Sequence, residues 1–323
     1  MEKLKLFEKG ERVCFVGDSI TEGTTWITHI ADYYSKARPQ DKVDIFPCGV
    51  GGGTCLSAML YMREQTEIWS PTTVVIMLGM NDIDRAHYND NQTEENVAAA
   101  EYALKKYEMN LHALSEMLKY WVKVNRIIYL APTPYDELQV SETPIQTGCW
   151  KALRKCADIM KRYAEEFGGE FYDFGGEFYE LLKESYEKNS KNSLIMPDRV
   201  HPNDFGYSVM ARVFLNAQGF SDVAVNADMI CDGSAELKFS PAAQKYFDNA
   251  RTLQTRWELE WLLSRYFNSR TDEGKRDFCE NFERDHPNCT IDEAYWAANY
   301  WRYRLAEEEN KKGLLSSIEE MYS

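Results

Sequence analysis

The chain has 323 residues, a formal net charge of −15 and a sequence pI near 4.9. Hydrophobic residues make up 44% and aromatics 13%, enough for a large buried core and too much for a disordered chain. An acidic balance without any basic cluster excludes a nucleic-acid binder and disfavours anionic membranes and polyanionic substrates.

The run 13–16 (Val-Cys-Phe-Val) has the uninterrupted apolar character of a strand buried on both faces, and Gly17 ends it. Asp18, Ser19 and Thr21 are poor in strands and good at helix starts, so a serine stands where a buried strand breaks toward a helix. That position offers free backbone N–H groups beside a fixed side chain, which suits a nucleophile whose product is an oxyanion; the competing reading is that Ser19 only caps the helix. Residues 26–34 have helical spacing, 43–46 a short strand, and 49–53 (Gly-Val-Gly-Gly-Gly) a backbone-rich turn. A helix is expected over 56–65 and a strand rich in β-branched residues over 72–78, which stops at Gly79-Met80-Asn81-Asp82. A polar loop over 83–92, a long helix over 94–122 and a fourth strand over 125–130 follow. Then come a loop over 135–147, a helix over 149–167, a strand over 170–173, a helix over 178–187, a loop at 196–202 and a closing helix over 204–215.

Strands and helices thus alternate five times, which specifies a doubly wound α/β fold with a mostly parallel, five-stranded sheet. Ligands bind such sheets beyond the carboxyl ends of the strands, where Ser19, the glycine turn and Asn81 fall. Beyond residue 221 the character changes. Residues 222–235 look irregular, and 242–267 and 291–320 look helical and aromatic-rich, with Trp257 and Trp261, and Trp296 and Tyr300, one turn apart. The expectation is an α/β domain over 1–221 and a mainly helical extension over 222–323. Its stripes would pack the extension, form a homo-oligomer contact, or wall a substrate cleft.

The N-terminus has no signal-peptide core, and no uncharged run reaches membrane-spanning length, so a cytoplasmic location and no membrane partner are expected. The eight cysteines, at 14, 48, 55, 149, 156, 231, 279 and 289, include no Cys-x-x-Cys pair, so reduced thiols and no metal are expected.

A serine nucleophile needs a base, a group that orients the base, and donors for the oxyanion. Of five histidines, His29 and His112 lie within expected helices, His286 lies in the C-terminal part, and His87 sits in the polar loop after the third strand, where it could meet substrate. His201 remains, with Asp198 three residues before it, a spacing at which one turn brings a carboxylate to Nδ1 and leaves Nε2 for a hydroxyl. The donor candidates are the Ser19 N–H, a backbone N–H within Gly51–Gly53, and the Asn81 amide. A nucleotide-binding reading of the glycine turn fails, because Thr54 stands where a third spaced glycine belongs and no Gly-Lys-Ser/Thr occurs.

Gly17-Asp18-Ser19-Ile20-Thr21, the glycine stretch at 49–53, Gly79-Met80-Asn81-Asp82 and Asp198-Arg199-Val200-His201-Pro202 resemble, in order, the four blocks of the SGNH (GDSL) hydrolase superfamily. The resemblance covers residues 10–217. It implies a flavodoxin-like three-layer α/β/α sandwich and ester hydrolysis of a small-molecule substrate with no cofactor. Carried over by position, Ser19 would be the nucleophile, His201 the base and Asp198 its orienting partner, with Gly52 and Asn81 joining the Ser19 N–H as oxyanion donors. The second block, Pro47-Cys48-Gly49-Val50-Gly51-Gly52-Gly53, departs from the usual pattern, so a neighbour of Gly52 could be the donor. Asp18, His87 and Tyr135 are the candidate substrate contacts, Asp18 also having a structural reading as an acceptor of local N–H groups. The polar and aromatic loops suit sugar hydroxyls, which favours a short acyl group, acetyl above all, on a carbohydrate or similar alcohol. The alternatives are a lipase, lysophospholipase or thioesterase acting on longer chains, and a non-catalytic binding module.

Overall fold

Five strands form one sheet in the order β2-β1-β3-β4-β5, every pair parallel: β1 (Arg12–Gly17), β2 (Asp44–Gly49), β3 (Thr73–Met77), β4 (Arg126–Leu130) and β5 (Glu170–Tyr172). A computed structural model describes residues 3–89, 93–189, 191, 193–266, 280, 284 and 293–323. The helices are α1 (Ser19–Glu22), α2 (Thr25–Ala37), α3 (Cys55–Tyr61), α4 (Glu94–Glu116), α5 (Cys149–Phe167), α6 (Phe174–Lys188), α7 (Asp204–Ala217), α8 (Ala227–Cys231), α9 (Pro241–Tyr266) and α10 (Glu293–Met321). Parallel strands need crossovers, and crossovers are right-handed, so the step from β1 out to β2 and the step back past β1 to β3 put α2 and α3 on opposite faces. α2 packs with α7 on one face, and α3, α4 and α5 pack in sequence on the other. This is the three-layer α/β fold the alternation calls for.

The central strands β1 and β3 are covered on both faces, and Val13 to Val16 and Val74 to Met77 are all buried. Against β1 an aromatic cluster forms: Phe15 meets Trp26 edge-on with ring centroids 5.2 Å apart, and Phe214 of α7 completes it. Such rings bury the largest apolar areas available and fix α2 and α7 against the strand that carries the serine.

Several boundaries differ from expectation for local reasons. The helix after the glycine turn stops at Tyr61 and continues as a π-turn over Met62–Thr66. α4 likewise ends in a π-turn, Met117–Val122. α6 begins at Phe174, four residues earlier than its periodicity suggests; Gly175 and Gly176 dilute the helical signal, and the Asp173 side chain supplies the start by accepting the Gly176 N–H at 3.2 Å. The stretch 222–235 is not wholly irregular, since Asn226 caps the short helix α8. The polar loop over 83–92 holds one turn of 3₁₀ helix, Arg85–His87.

The C-terminal helices cover the open edge of the sheet. The N–H groups of Asp44 and Val50 donate to Glu11 O and Gly17 O at the two ends of β1, so the even-numbered residues of this parallel strand turn their polar groups inward and 43, 45 and 47 turn theirs outward. Each is met by a side chain from far along the chain. Tyr322 accepts the Val43 N–H and donates to the Val43 carbonyl, Tyr246 donates to Ile45 O at 2.9 Å, and Gln254 donates to Pro47 O at 2.9 Å. Pro47 has no N–H to leave unpaired, as suits an edge strand. α9 also packs on α2, and Arg251 donates to Glu22 O at 2.9 Å, just behind the serine turn. The side chains of Trp257, Trp261, Trp296 and Tyr300, and residues Phe267, His286 and Ile291, lie outside the described residues.

Tyr246 is fully buried, so Tyr246→Phe leaves the Ile45 carbonyl without its partner. The expected loss is about 1–3 kcal/mol of stability, read as a lower urea midpoint with an unchanged slope.

Candidate functional site

Three loops converge above the carboxyl ends of β1, β2 and β3. At the first, β1 ends at Gly17 and α1 starts at Ser19. The N-cap is Asp18, whose carboxylate accepts the Ile20 N–H at 3.0 Å while its carbonyl accepts from Thr21 and Glu22. Capping therefore falls to Asp18, and the Ser19 hydroxyl is left free for another partner. That partner is His201: Ser19 Oγ lies 2.8 Å from Nε2. On the far side of the ring, Nδ1 lies 2.6 Å from Asp198 Oδ2. The Asp198 Oδ1 accepts the backbone N–H groups of Val200 and His201 at 2.9 and 3.0 Å, which sets the angle at which the carboxylate meets the imidazole. Burial works against ionised Asp198, but the His201 ring and these two N–H groups outweigh it and hold the carboxyl below its ordinary value. With its proton on Nδ1, beside the carboxylate, the ring would offer Nε2 as an acceptor to the serine hydroxyl.

The second loop is the glycine turn. A Cβ on Gly49 would stand 2.2 Å from Glu22 N, and one on Gly53 would stand 2.7 Å from Val50 O. Gly53 spends its N–H on Val50 O at 2.8 Å. Of the three consecutive glycines, Gly51 and Gly52 thus remain as possible donors. Gly52 has φ of +67° and nothing within 4 Å of where its Cβ would be, the open, left-handed geometry that favours glycine.

The third loop carries Asn81. Its Nδ2 donates to Gly53 O at 3.0 Å, and its Oδ1 accepts from Arg85 at 3.1 Å. Arg85 also donates to Met80 O at 2.6 Å. With Oδ1 occupied by a guanidinium, the amide is held with its NH₂ toward the glycine turn, and one of its two protons remains uncommitted. Sequence reasoning did not find Arg85, because a polar loop has no periodicity to mark one arginine as structural.

Two buried acids lie beneath. Burial pushes Asp18 up to about 6, with Ile20 N–H, His201 and Arg85 pulling the other way. Burial also pushes Asp82 up to about 7; the Cys55 N–H it accepts at 2.9 Å lowers it, and the Asp18 charge raises it further. Among the described residues its Oδ2 has no hydrogen-bond partner.

A cavity of about 600 Å³ opens beside the imidazole, lined by Asn81, Asp84, Arg85, Tyr135, Thr143, Gln146, Asp198 and His201 among others. Of the expected substrate contacts, Tyr135 lines it but is itself buried, with its hydroxyl donating to Pro144 O at 3.4 Å and accepting the Gln146 N–H at 3.2 Å. His87 does not line the cavity; it pairs with Asp84 at 3.3 Å. Asp18 is buried beneath the serine turn.

Arg199, between Asp198 and His201, is the second residue that sequence reasoning missed, since an arginine in a polar loop is expected at the surface. It is 1% exposed and holds φ of +68°. A side-chain-bearing residue in that region costs roughly 1–2 kcal/mol. Charge-assisted hydrogen bonds of about 1.5–3 kcal/mol each offset this: its guanidinium donates to Thr143 O at 2.9 Å, Asp136 O at 3.0 Å and Gln139 O at 2.7 Å. Among the described residues no group of three or more His, Cys, Asp or Glu could hold a metal, and no helix is long and apolar enough to cross a membrane.

Comparison with known proteins bears on the family and the fold. The model of the GDSL-like lipase/acylhydrolase family matches residues 13–214. An acetylxylan esterase of Geobacillus stearothermophilus is 27% identical over 226 residues, which are 65% of this chain and 95% of that protein. The crystal structure of an acetylxylan esterase from that organism superposes with a TM-score of 0.53 at 25% identity, covering 68% of this chain and 99% of its own. A gut microbial diltiazem-metabolizing enzyme superposes on 99% of this chain and 96% of its own with a TM-score of 0.75 at 16% identity, a likeness of fold that extends over the C-terminal helices. The chain belongs to the GDSL-like lipase/acylhydrolase family of the SGNH superfamily and is a carboxylic ester hydrolase of the serine type.

Proposed function

We propose that this esterase removes short acyl groups, acetyl above all, from a carbohydrate or another small alcohol, with Ser19 as nucleophile, His201 as base and Asp198 as its orienting partner. The observation that carries the reading is the unbroken line from Asp198 through His201 to Ser19, at 2.6 and 2.8 Å, beside a cavity with polar walls. The acetylxylan esterase relative supports the acetyl group and the carbohydrate. Solved catalytic mutants of that esterase replace a serine, an aspartate and a histidine by alanine, the last two separated by the same interval as Asp198 and His201. Amide and guanidinium groups in the cavity wall, from Asn81, Gln146 and Arg85, suit hydroxyl-rich alcohols better than a long acyl chain. The division of labour belongs to the same reading: residues 1–221 carry the chemistry and 222–323 brace the sheet edge beside it.

The steps follow from the atoms. Ser19 Oγ attacks the ester carbonyl carbon as its proton passes to His201 Nε2, and Asp198 stabilises the imidazolium. The tetrahedral oxyanion takes hydrogen bonds from the Ser19 N–H, the Gly52 N–H and the free proton of Asn81 Nδ2. Nε2 then hands its proton to the leaving alkoxide oxygen, the C–O bond breaks, and an acyl-Ser19 remains. Water, deprotonated by the same nitrogen, releases the acid and restores Ser19.

Initial rates on p-nitrophenyl esters from acetate to palmitate, with Ser19→Ala as the blank, test this. Rates should peak at acetate and fall by at least about 10³-fold in the variant. A peak at eight carbons or longer, or full activity in Ser19→Ala, contradicts it. Asn81→Ala should lower kcat by about 10²–10³-fold with KM little changed, because the oxyanion forms only in the transition state; an effect confined to KM contradicts the assignment.

The buried acid gives a pH signature. Asp82 holds its proton to about pH 7 when folded, whereas the unfolded chain releases it near the ordinary carboxyl value. The folded state therefore binds more protons across that window, and the Asp82 contribution to stability, full below it, is lost as pH rises through it. Asp82→Asn keeps an acceptor for the Cys55 N–H, so its stability relative to the parent should rise with pH from about 4 to about 7. Urea midpoints across that range measure it, and a constant difference contradicts it.

A further inference from the structure

We propose that Arg199 is a positioning residue that clamps the cavity wall to the loop bearing Asp198 and His201, so that the two behave as one rigid piece; the inference rests on the assignment of those residues above. The wall is the segment 135–146, which has no helix or strand of its own and contributes Tyr135, Thr143, Pro144 and Gln146 to the cavity. The three carbonyls that take the guanidinium, on Asp136, Gln139 and Thr143, are spread along that segment. The Arg199 carbonyl in turn accepts the Asp136 N–H at 2.8 Å, so both the backbone and the side chain of Arg199 cross the gap. Burial raises the Asp136 carboxyl, and the Arg199 charge is among the groups that pull it back down. The Asp136 carboxylate is itself held by Tyr186 Oη at 2.8 Å and by the N–H groups of Leu138 and Gln139, each at 3.0 Å. The guanidinium holds its donors in a rigid plane that fixes where the three carbonyls stand, whereas an ammonium's three donors rotate at the end of a flexible stem.

The left-handed backbone is the second observation. At φ of +68° glycine would be the unstrained choice, yet the position carries one of the largest fully buried side chains in the protein. Strain of this kind persists only where the surroundings over-determine it, and here it lies between Asp198 and His201, the residue that faces Ser19. Turning the backbone at Arg199 sends its side chain down into the wall while His201 turns toward the serine.

Arg199→Gly separates the two contributions, because glycine suits the backbone and removes only the fork. Arg199→Lys keeps the charge without the fork and carries the same readouts if the glycine variant does not fold. Both are measured on the full chain, by amide hydrogen exchange and by p-nitrophenyl acetate kinetics normalised to burst-titrated active sites. Arg199→Gly should speed exchange across 136–146 and lower kcat/KM per titrated site by at least about tenfold, with Arg199→Lys between it and the parent. A purely structural arginine would lower the melting temperature and leave per-site kinetics alone. Parental exchange in 136–146, or parental kcat/KM per site, in Arg199→Gly overturns the proposal. If the parent hydrolyses no ester, the assignment of Ser19 fails, while the exchange measurement still decides whether Arg199 holds the wall.

Discussion

Backbone packed against backbone is the constraint on which this site depends. Where β1 and β2 end, Gly17 and Gly49 are paired across the sheet, and α1 is folded directly over them. A single added carbon on Gly49 would stand 2.2 Å from Glu22 N and 2.8 Å from Asp18 O; on Gly17 it would stand 2.1 Å from Thr21 Oγ1. Only glycines allow the serine turn and the second loop to approach this closely, and this approach brings Gly53 against Gly17 and Asp18, the residues just before Ser19. Asn81 joins by donating to Gly53 O, so the third strand's loop is fastened to the second's. The C-terminal helices act on the same corner from outside. Gln254 holds the Pro47 carbonyl just before the glycine turn, and Arg251 holds Glu22 O at the end of α1.

Two arginines tie the candidate site's groups to the loops around them. Arg85 fixes which way the Asn81 amide faces, and Arg199 ties the Asp198–His201 loop to the opposite wall. Both act through carbonyl or amide oxygens, which an arginine fork meets better than a lysine does. The triad geometry is therefore the visible part of a larger hydrogen-bonded frame, and the rest of that frame lies in loops.

The legibility of the sequence divides along the same line. The strands beside Ser19 and Asn81 were readable because a buried parallel strand leaves an unbroken apolar run, and the residues at its end stand out against it. His201 was readable through its spacing from Asp198. Arg85 and Arg199 were not, since loops have no period and arginine is ordinarily a surface residue. The start of α6 was hidden by Gly175 and Gly176. The covering of β2 by Tyr246, Gln254 and Tyr322 joins residues some 200 or more positions apart and leaves no local pattern. Of the candidate contacts read from polar loops, Tyr135 lines the cavity with its hydroxyl bonded to its own loop's backbone, and His87 stands outside it beside Asp84.

The central claim is that Ser19 is a nucleophile activated by His201. Its most direct test is a fluorophosphonate reacted with the native chain, followed by intact-mass analysis and peptide mapping. The account predicts one adduct per chain, on Ser19, lost when His201 is replaced by alanine. No adduct, or an adduct on another residue, would contradict it.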